Sequence, residues 1–482
     1  MSWCYKNLRD CKAWLDEGLP LTTTSNEAAK LFDCLMRQYI TWTDSGMEET
    51  RKSLWESHPQ FLMGNILNCG LTAVGTAKSA LNDSGFKKDC DDLKMSAVTF
   101  GNKREQLHAE AVYAFAYGNL NQATRYWENL LEKYPNDILA AKFLHDTYFY
   151  LGDKVRLERT AANAIKANRE SDPCFSFLYG MHAFGLEECG NYVDSEKEAR
   201  QGLSLEAGDA WATHAVAHCM EMTGRFEDGI KFMEATVKCW EPSGMLACHN
   251  FWHLALYYLE KGDYESALTY YDSEISKRSR SGQPLDIVDA ASLLLRLEME
   301  GVGLGDRWDA LIGVIEPRIY DHTLAFNEAH YRMVLESCPE RKLTDKHRQS
   351  IEQFLGWKKA RKLCLSKIVR VVNCANFSAN ESAETCQVMK EFGQSICESI
   401  SKYNGGNFDE VVELLFPIRH DIYQIGGSEA QRDIFTQLLI HSAINGKNLS
   451  SAQKGWLVLL IFFIICHATF ILQVFFIVNL RI

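Results

Sequence analysis

A three-residue turn motif that recurs along the chain limits the folds open to it. The motif occurs five times, as Gly118-Asn119-Leu120, Gly152-Asp153-Lys154, Gly190-Asn191-Tyr192, Gly224-Arg225-Phe226 and Gly262-Asp263-Tyr264. Successive glycines are 34, 38, 34 and 38 residues apart. A period of this length indicates one supersecondary unit repeated along an extended array. Because apolar residues beside the motif follow a 3.6-residue period, we expect each unit to be a pair of α-helices.

Each part of the motif has a physical reason in a helical hairpin. Glycine ends the first helix because the left-handed backbone there is unstrained only without a Cβ atom. Asn or Asp then suits the start of the second helix. Five positions after four of the glycines stands a small residue, at the point where the two helices cross closely. These residues are Ala123, Ser195, Gly229 and Ala267, and the exception is Leu157. The sequence therefore predicts an all-α, tetratricopeptide-like array of helical hairpins, an α-solenoid.

The array also predicts how the whole chain is organised. Trp127, Met233 and Tyr271 are placed to fill the core between repeats, and a sixth copy of the motif begins at Gly406. Helices before the first motif are interpreted as an atypical end unit. We divide the chain into an N-terminal segment (1–24), the repeat array (25–275), an irregular helical region (276–400), a further repeat unit (401–446), a linker (447–454) and a hydrophobic helix (455–478).

Composition excludes some classes of function. A formal charge of −12 argues against general nucleic-acid binding, because the phosphate backbone is bound through Lys and Arg. The 16 cysteines are scattered and form no CxxC motif, which structural zinc sites and thioredoxin-like sites usually contain. We expect reduced thiols that pack as small apolar side chains. No motif implies a bound cofactor, and none is predicted.

Several separated blocks of the sequence resemble one known family. The blocks are LPLTTTSNEAAKLFD, REQLHAEAVYAFAYGNL, MLACHNFWHLALYYLEKGDYESAL, LLRLEMEGV and IGGSEAQRDIFTQLLIHSAIN. Together they resemble the tetratricopeptide repeat protein 38 family over roughly residues 8–445. The resemblance implies an all-helical repeat fold. Because the molecular activity of that family is poorly defined, it implies no particular reaction or partner.

Residues 357–374 depart from that family. The segment reads WKKARKLCLSKIVRVVNC and carries six basic side chains without an acidic one. A basic amphipathic segment can contact anionic lipid. An exposed loop or helix without a selected role fits the same composition. Because a short basic run is common by chance, we favour this second interpretation.

An apolar tail is the second departure from the family. Gly455 to Val478 are 24 residues without Asp, Glu, Lys or Arg. As a helix they would span about 36 Å, and the hydrocarbon core of a bilayer is about 30 Å thick. The pattern predicts a transmembrane tail anchor, with the repeat domain in the cytoplasm and held to an intracellular membrane. An atypical terminus from splicing or gene prediction is the second explanation of this segment.

Histidines supply the strongest case for chemistry. His214 and His218 are four residues apart on one expected helix, and His249 and His253 repeat the spacing one unit later. Such spacing puts two imidazoles on one helical face, as metal sites on helices require. These four residues therefore define the alternative function, a metal-binding protein or a metal-dependent, hydrolase-like enzyme. Neither pair has the HExxH form, and imidazoles packed within the repeat stack explain the pattern more simply.

The repeat pattern favours binding over catalysis. Stacking of the repeats uses the apolar side chains, which leaves polar and aromatic residues of a concave groove to recognise a partner. We therefore expect a scaffold or adaptor, and not an enzyme, that binds a protein or peptide in that groove. The residues predicted to contact the partner are His182, His214, His218, Asn250 and His253.

Overall fold

The computed structural model describes residues 5–337, 342–356, 383–448 and 450, and within these ranges all regular secondary structure is helical. The first twelve helices are α1 (Cys11–Asp16), α2 (Asn26–Ile40), α3 (Met47–Ser57), α4 (Leu62–Val74), α5 (Ser84–Phe100), α6 (Lys103–Ala116), α7 (Leu120–Lys133), α8 (Ile138–Leu151), α9 (Lys154–Ala167), α10 (Phe177–Glu188), α11 (Tyr192–Leu205) and α12 (Ala210–Met222). The next eight are α13 (Phe226–Trp240), α14 (Gly244–Glu260), α15 (Tyr264–Tyr270), α16 (Ser276–Ser279), α17 (Pro284–Met299), α18 (Arg307–Ile315), α19 (Ala325–Glu336) and α20 (Lys342–Phe354). The last four are α21 (Glu384–Val388), α22 (Gln394–Asn404), α23 (Phe408–Leu415) and α24 (Glu429–Asn445). The predicted all-α fold is confirmed for this part of the chain.

The described residues form two compact units. The first contains residues 5–215, 238–247 and 383–386, and the second contains 216–237, 248–337, 342–356, 387–448 and 450. The motif glycines of the first unit are Gly118, Gly152 and Gly190, and those of the second are Gly224, Gly262 and Gly406. The six-part division drawn from the sequence stays a prediction.

The six glycine turns share one backbone geometry. All six glycines have a positive φ, between +66° and +81°. In every turn the N–H of the residue after glycine donates to the carbonyl five residues earlier, over 2.8–3.0 Å. In the first turn this bond joins Asn119 N to Ala114 O. This 6→1 bond defines a Schellman motif, so the glycines end their helices as predicted.

Positions five residues after the glycines are closely packed, also as predicted. Ala123, Ser195 and Ala267 are fully buried. A Cβ atom on Gly229 would lie 2.5 Å from the ring of Tyr257, a distance that real contacts do not allow. A side chain smaller than Leu at this position therefore lets the paired helices approach.

Aromatic side chains fill the core between the hairpins. Trp127 of α7 stacks on Phe143 of α8, with ring centroids 5.4 Å apart and planes inclined by 25°. Met233 and Tyr271 are also buried, at 0% and 1% exposure, in the second unit. The prediction that these three side chains belong to the core is confirmed.

One further hairpin was not predicted. Helix α17 ends at a glycine turn of the same kind, where Gly301 has φ +79° and Val302 N donates to Leu297 O over 3.0 Å. Helix α18 follows it. The region 276–400 therefore contains at least one more glycine-ended helix pair than the sequence motif indicates.

The predicted localisation requires a correction. No helix in the described part of the chain is long and apolar enough to cross a membrane, so the predicted anchoring of a cytoplasmic repeat domain in an intracellular membrane is wrong on this finding. The predicted span, Gly455 to Val478, lies outside the described residues, as does the basic segment 357–374. The predicted C-terminal hydrophobic helix and the membrane as a partner are therefore unsupported.

Candidate functional site

His182 is the most accessible of the residues predicted to contact a partner. It lies on α10 in the first unit, with Nδ1 2.9 Å from Glu198 Oε1 and Nε2 3.2 Å from Glu158 Oε1. Burial lowers the pKa of His182, but the two carboxylates raise it by more, so its pKa lies above the ordinary value of 6.5. The ring therefore joins α9, α10 and α11 through a charge-assisted pair of hydrogen bonds.

The other four predicted contact residues are buried. His218, Asn250 and His253 are 0% exposed, and His214 is 2% exposed. His214 belongs to the first unit, where its ring lies 4.8 Å from that of Trp211. In this structure these four side chains offer no open surface. Their role in partner binding stays a prediction, and the function proposed below depends on another surface.

Three histidines of the second unit meet between α12 and α14. The ring of His253 lies 4.4 Å from that of His218 and 4.8 Å from that of His249, measured between centroids. One ring nitrogen of each lies within 4.8 Å of those of the other two. We call His218, His249 and His253 the histidine trio. Of the four residues predicted as an alternative metal site, these three share a unit, and His214 lies in the other.

Carboxylates orient two rings of the histidine trio. His253 Nδ1 is 2.7 Å from Glu221 Oε2 on α12. His249 Nδ1 is 2.8 Å from Asp289 Oδ2 on α17. The second oxygen of Asp289 accepts a hydrogen bond from the Gln431 amide over 3.2 Å. A ring that donates from Nδ1 to a carboxylate carries its lone pair on Nε2, which is the arrangement of most metal-ligating histidines.

The repeat motif does not point to Asp289. It stands 40 residues from His249 along the chain, in the region where the repeat motif is lost. Its neighbour Asp286 is also buried, and burial raises the pKa of Asp286 to about 7. An acidic residue on the inner face of an apolar helix such as α17 was the only available indication, because a buried carboxylate needs a partner.

A second buried network was also missed. His322 Nε2 lies 2.6 Å from the Ser350 hydroxyl, and His322 Nδ1 lies 3.2 Å from Glu328 Oε2. The same Glu328 oxygen is 2.6 Å from His347 Nε2. Burial raises the pKa of Glu328, but His322 and His347 lower it by more, to about 2. Ser350 is in the middle of α20 and 8% exposed, so this serine–histidine–glutamate arrangement is a polar core network and not a nucleophile open to substrate.

An open groove lies on the first unit between α7, α8 and α9. Its volume is about 530 Å³, within the range of small-ligand sites. The floor consists of buried apolar side chains, Ala141, Leu144 and Ala164 among them. Acidic side chains of α7 and basic side chains of α9 form the walls; they are Glu128, Glu132, Arg156 and Arg159. The groove therefore presents opposite charges on its two sides.

Comparison with known proteins finds remote similarity. No protein-family model matches the chain. A solved structure of a Rap protein complexed with competence and sporulation factor is 15% identical, and the match covers 68% of this chain and 100% of that one at a TM-score of 0.42. A human IFIT1 dimer with PPP-AAAA is 13% identical, and the match covers 86% and 98% at a TM-score of 0.36. At these scores neither structure bears on what this chain does.

Proposed function

We propose that the chain is a helical-repeat scaffold that binds a peptide segment of another protein in the groove between α7, α8 and α9. The observation that carries this proposal is the combination of an apolar floor with walls of opposite charge in one open groove. We also propose, on the sequence blocks quoted above, that the chain belongs to the tetratricopeptide repeat protein 38 family. The proposal assigns no catalytic step.

The floor of the groove suits one apolar side chain of the partner. Leu131 is half-buried and Pro135 is exposed, so these two lining residues present apolar surface beside the buried Leu144 and Tyr148. Tyr148 is held in place because its hydroxyl donates to Glu128 over 2.5 Å. A partner side chain that displaces water from this surface gains about 25 cal/mol per Å² of buried apolar area. Burial at the floor would therefore supply affinity.

The walls of the groove suit a partner segment with charges of both signs. Glu132 on α7 and Arg159 on α9 are exposed and form no ion pair with each other or with other described residues. A basic side chain of the partner would face α7, and an acidic one would face α9. Rim charges of this kind set orientation and association rate more than affinity.

A substitution that fills the groove tests the proposal. Peptides would be selected on the purified full chain from a display library of its own proteome, and their affinities measured by fluorescence anisotropy. Asn163 is an exposed lining residue on α9, so Asn163→Trp places an indole in the groove without disturbing the core. We expect the selected peptide to bind this variant at least about tenfold more weakly.

The matched control is a tryptophan at an exposed position outside the groove. Val193 on α11 is 84% exposed, so Val193→Trp adds the same side chain to the same unit. This variant should bind the peptide as the wild type does, and both variants should melt at the wild-type temperature. Equal affinity for both variants would reject the groove as the binding position.

A further inference from the structure

The histidine trio joins two successive hairpins. His218 is on α12, the first helix of its hairpin, and His249 and His253 are one turn apart on α14, the first helix of the next. The rings of His218 and His249 have centroids 6.4 Å apart, and His253 lies closer to each of them than they lie to one another. The trio is 0–4% exposed, so the three rings are closed to solvent.

The two carboxylates set the direction of the ring nitrogens. Glu221 holds His253 by Nδ1, and Asp289 holds His249 by Nδ1, at 2.7 and 2.8 Å. Both rings therefore use the same nitrogen, Nδ1, for the carboxylate. Carboxylate–histidine–metal arrangements have this form, because the carboxylate fixes the tautomer and makes the imidazole a better ligand.

The other buried histidine network of this unit provides a contrast. There, one carboxylate oxygen of Glu328 takes both His322 Nδ1 and His347 Nε2, so the carboxylate itself is the centre of the network. In the histidine trio, Glu221 holds His253 and Asp289 holds His249, so these two rings have separate carboxylates. One ring nitrogen of each of the three histidines lies within 4.8 Å of those of the other two. Ligand nitrogens around a tetrahedral zinc ion are about 3.4 Å apart, so closure needs ring shifts on the order of an ångström.

We propose that His218, His249 and His253 bind one Zn²⁺ ion, which cross-links α12 to α14. Three neutral imidazoles suit zinc among the abundant divalent metals, whereas Ca²⁺ and Mg²⁺ require oxygen ligands. Asp289 and Glu221 orient the ligands without binding the ion. Because the trio is buried, the role of the ion is to stabilise the stacking of two hairpins. This site is independent of the peptide groove, which lies on the first unit.

Metal titration of the full chain tests the proposal. Protein stripped with a chelator would be titrated with Zn²⁺ by calorimetry and with Co²⁺ by visible absorption. We expect one ion per chain, a higher melting temperature with Zn²⁺, and Co²⁺ d–d bands without a thiolate charge-transfer band. The thiolate band matters because the chain has 16 cysteines that could bind either metal.

Substitutions separate the ligands from the orienting residues. His218→Ala with His253→Ala should abolish stoichiometric binding, and Asp289→Asn should weaken it by about 10–100-fold. The matched control is His330→Phe, which removes another fully buried histidine of the same unit and should leave Zn²⁺ affinity unchanged. A merely structural role of Asp289 would lower the melting temperature equally with and without Zn²⁺, and that result would count against the proposal.

Metal binding by the wild-type chain tests the proposed zinc site even if a variant fails to fold. Absence of stoichiometric Zn²⁺ and Co²⁺ binding by the stripped wild type would overturn the proposal. A cobalt–thiolate band would overturn it as well, because the metal would then lie on cysteines. Failure of the zinc site would leave the peptide groove untouched, since the peptide assay uses the other unit and needs no metal.

Discussion

Asp137 at the start of α8 accepts a hydrogen bond from the Arg104 guanidinium of α6, with Nε 2.6 Å from Oδ2 and both side chains at most 1% exposed. His108 Nε2 lies 3.0 Å from the same oxygen. Burial raises the pKa of Asp137, but Arg104 and His108 lower it by more, so the carboxylate stays ionised. Its other oxygen caps α8 by accepting from Ala140 N. One buried side chain thus joins the first helices of two successive hairpins.

We expect Asp137→Asn to destabilise the first unit by about 3–5 kcal/mol. Asn preserves the cap of α8 but leaves the Arg104 charge buried without a counter-charge, and that is the costly part of breaking a buried ion pair. The control is Asp153→Asn at the half-exposed cap of α9, which should change stability by less than about 0.5 kcal/mol. Denaturant midpoints of the two variants check this, and coincident midpoints would contradict it.

Gly229→Ala should destabilise the second unit by about 1–3 kcal/mol, because an added methyl group collides with a ring that cannot move away. The new Cβ atom would lie 2.5 Å from the ring of Tyr257, which is fully buried and donates its hydroxyl to Ala217 O. The control is Gly303→Ala, where no atom lies within 4 Å and φ is not positive. Thermal melting should separate the two variants, and equal melting temperatures would show that the crossing tolerates a larger side chain.

His330 predicts a pH dependence of stability. Burial lowers the pKa of His330, a hydrogen bond to Phe326 O opposes the shift, and Arg296 adds to it, so the pKa lies at about 4. His330 therefore binds a proton near pH 6.5 in the unfolded chain but only near pH 4 in the folded chain. The contribution of His330 to the free energy of unfolding is fully present above pH 6.5. It decreases by on the order of 3 kcal/mol as the pH falls from 6.5 to 4.

His330→Phe should remove this part of the acid sensitivity. The ring would keep its contacts with Phe326 and Phe435, whose centroids lie 4.5 and 5.7 Å away. The measurement is the difference in unfolding free energy between wild type and variant from pH 7.5 to pH 4. The wild type should lose more stability than the variant over that interval, and parallel curves would place the titration elsewhere.

The helical hairpins could be predicted from the sequence because their turns depend on local backbone chemistry. A positive φ almost requires glycine, so Gly118 and its counterparts mark helix ends wherever they stand. Gly301 has the same geometry but was not recognised as a copy of the motif, since Val302 follows it and the spacing is lost. The periodicity of the sequence could not show which side chains α18 packs against.

The candidate sites were harder to predict because they depend on which side chains meet across the fold. The i, i+4 spacing correctly put His249 and His253 on one face of α14, but whether that face is open or buried is a property of packing. Asp289 comes from a helix outside the repeat motif, and it fixes the ring of His249. The groove was not predicted for a related reason. Glu132 and Arg159 lie on second helices of two different hairpins, and they line one groove only because α7 and α9 pack on either side of α8.

The groove walls give the last prediction, which concerns the peptide selected on the wild-type chain. Glu132→Lys and Arg159→Glu each reverse one exposed wall charge and should leave stability within about 0.5 kcal/mol of the wild type. If a bound segment runs between the walls, each reversal slows its association and weakens binding about 3–10-fold at low salt. Added salt should shrink that penalty because the charges are exposed and screened. A penalty that is independent of salt would mean that the substitutions act by distorting α7 or α9, and Val193→Trp again serves as the surface control.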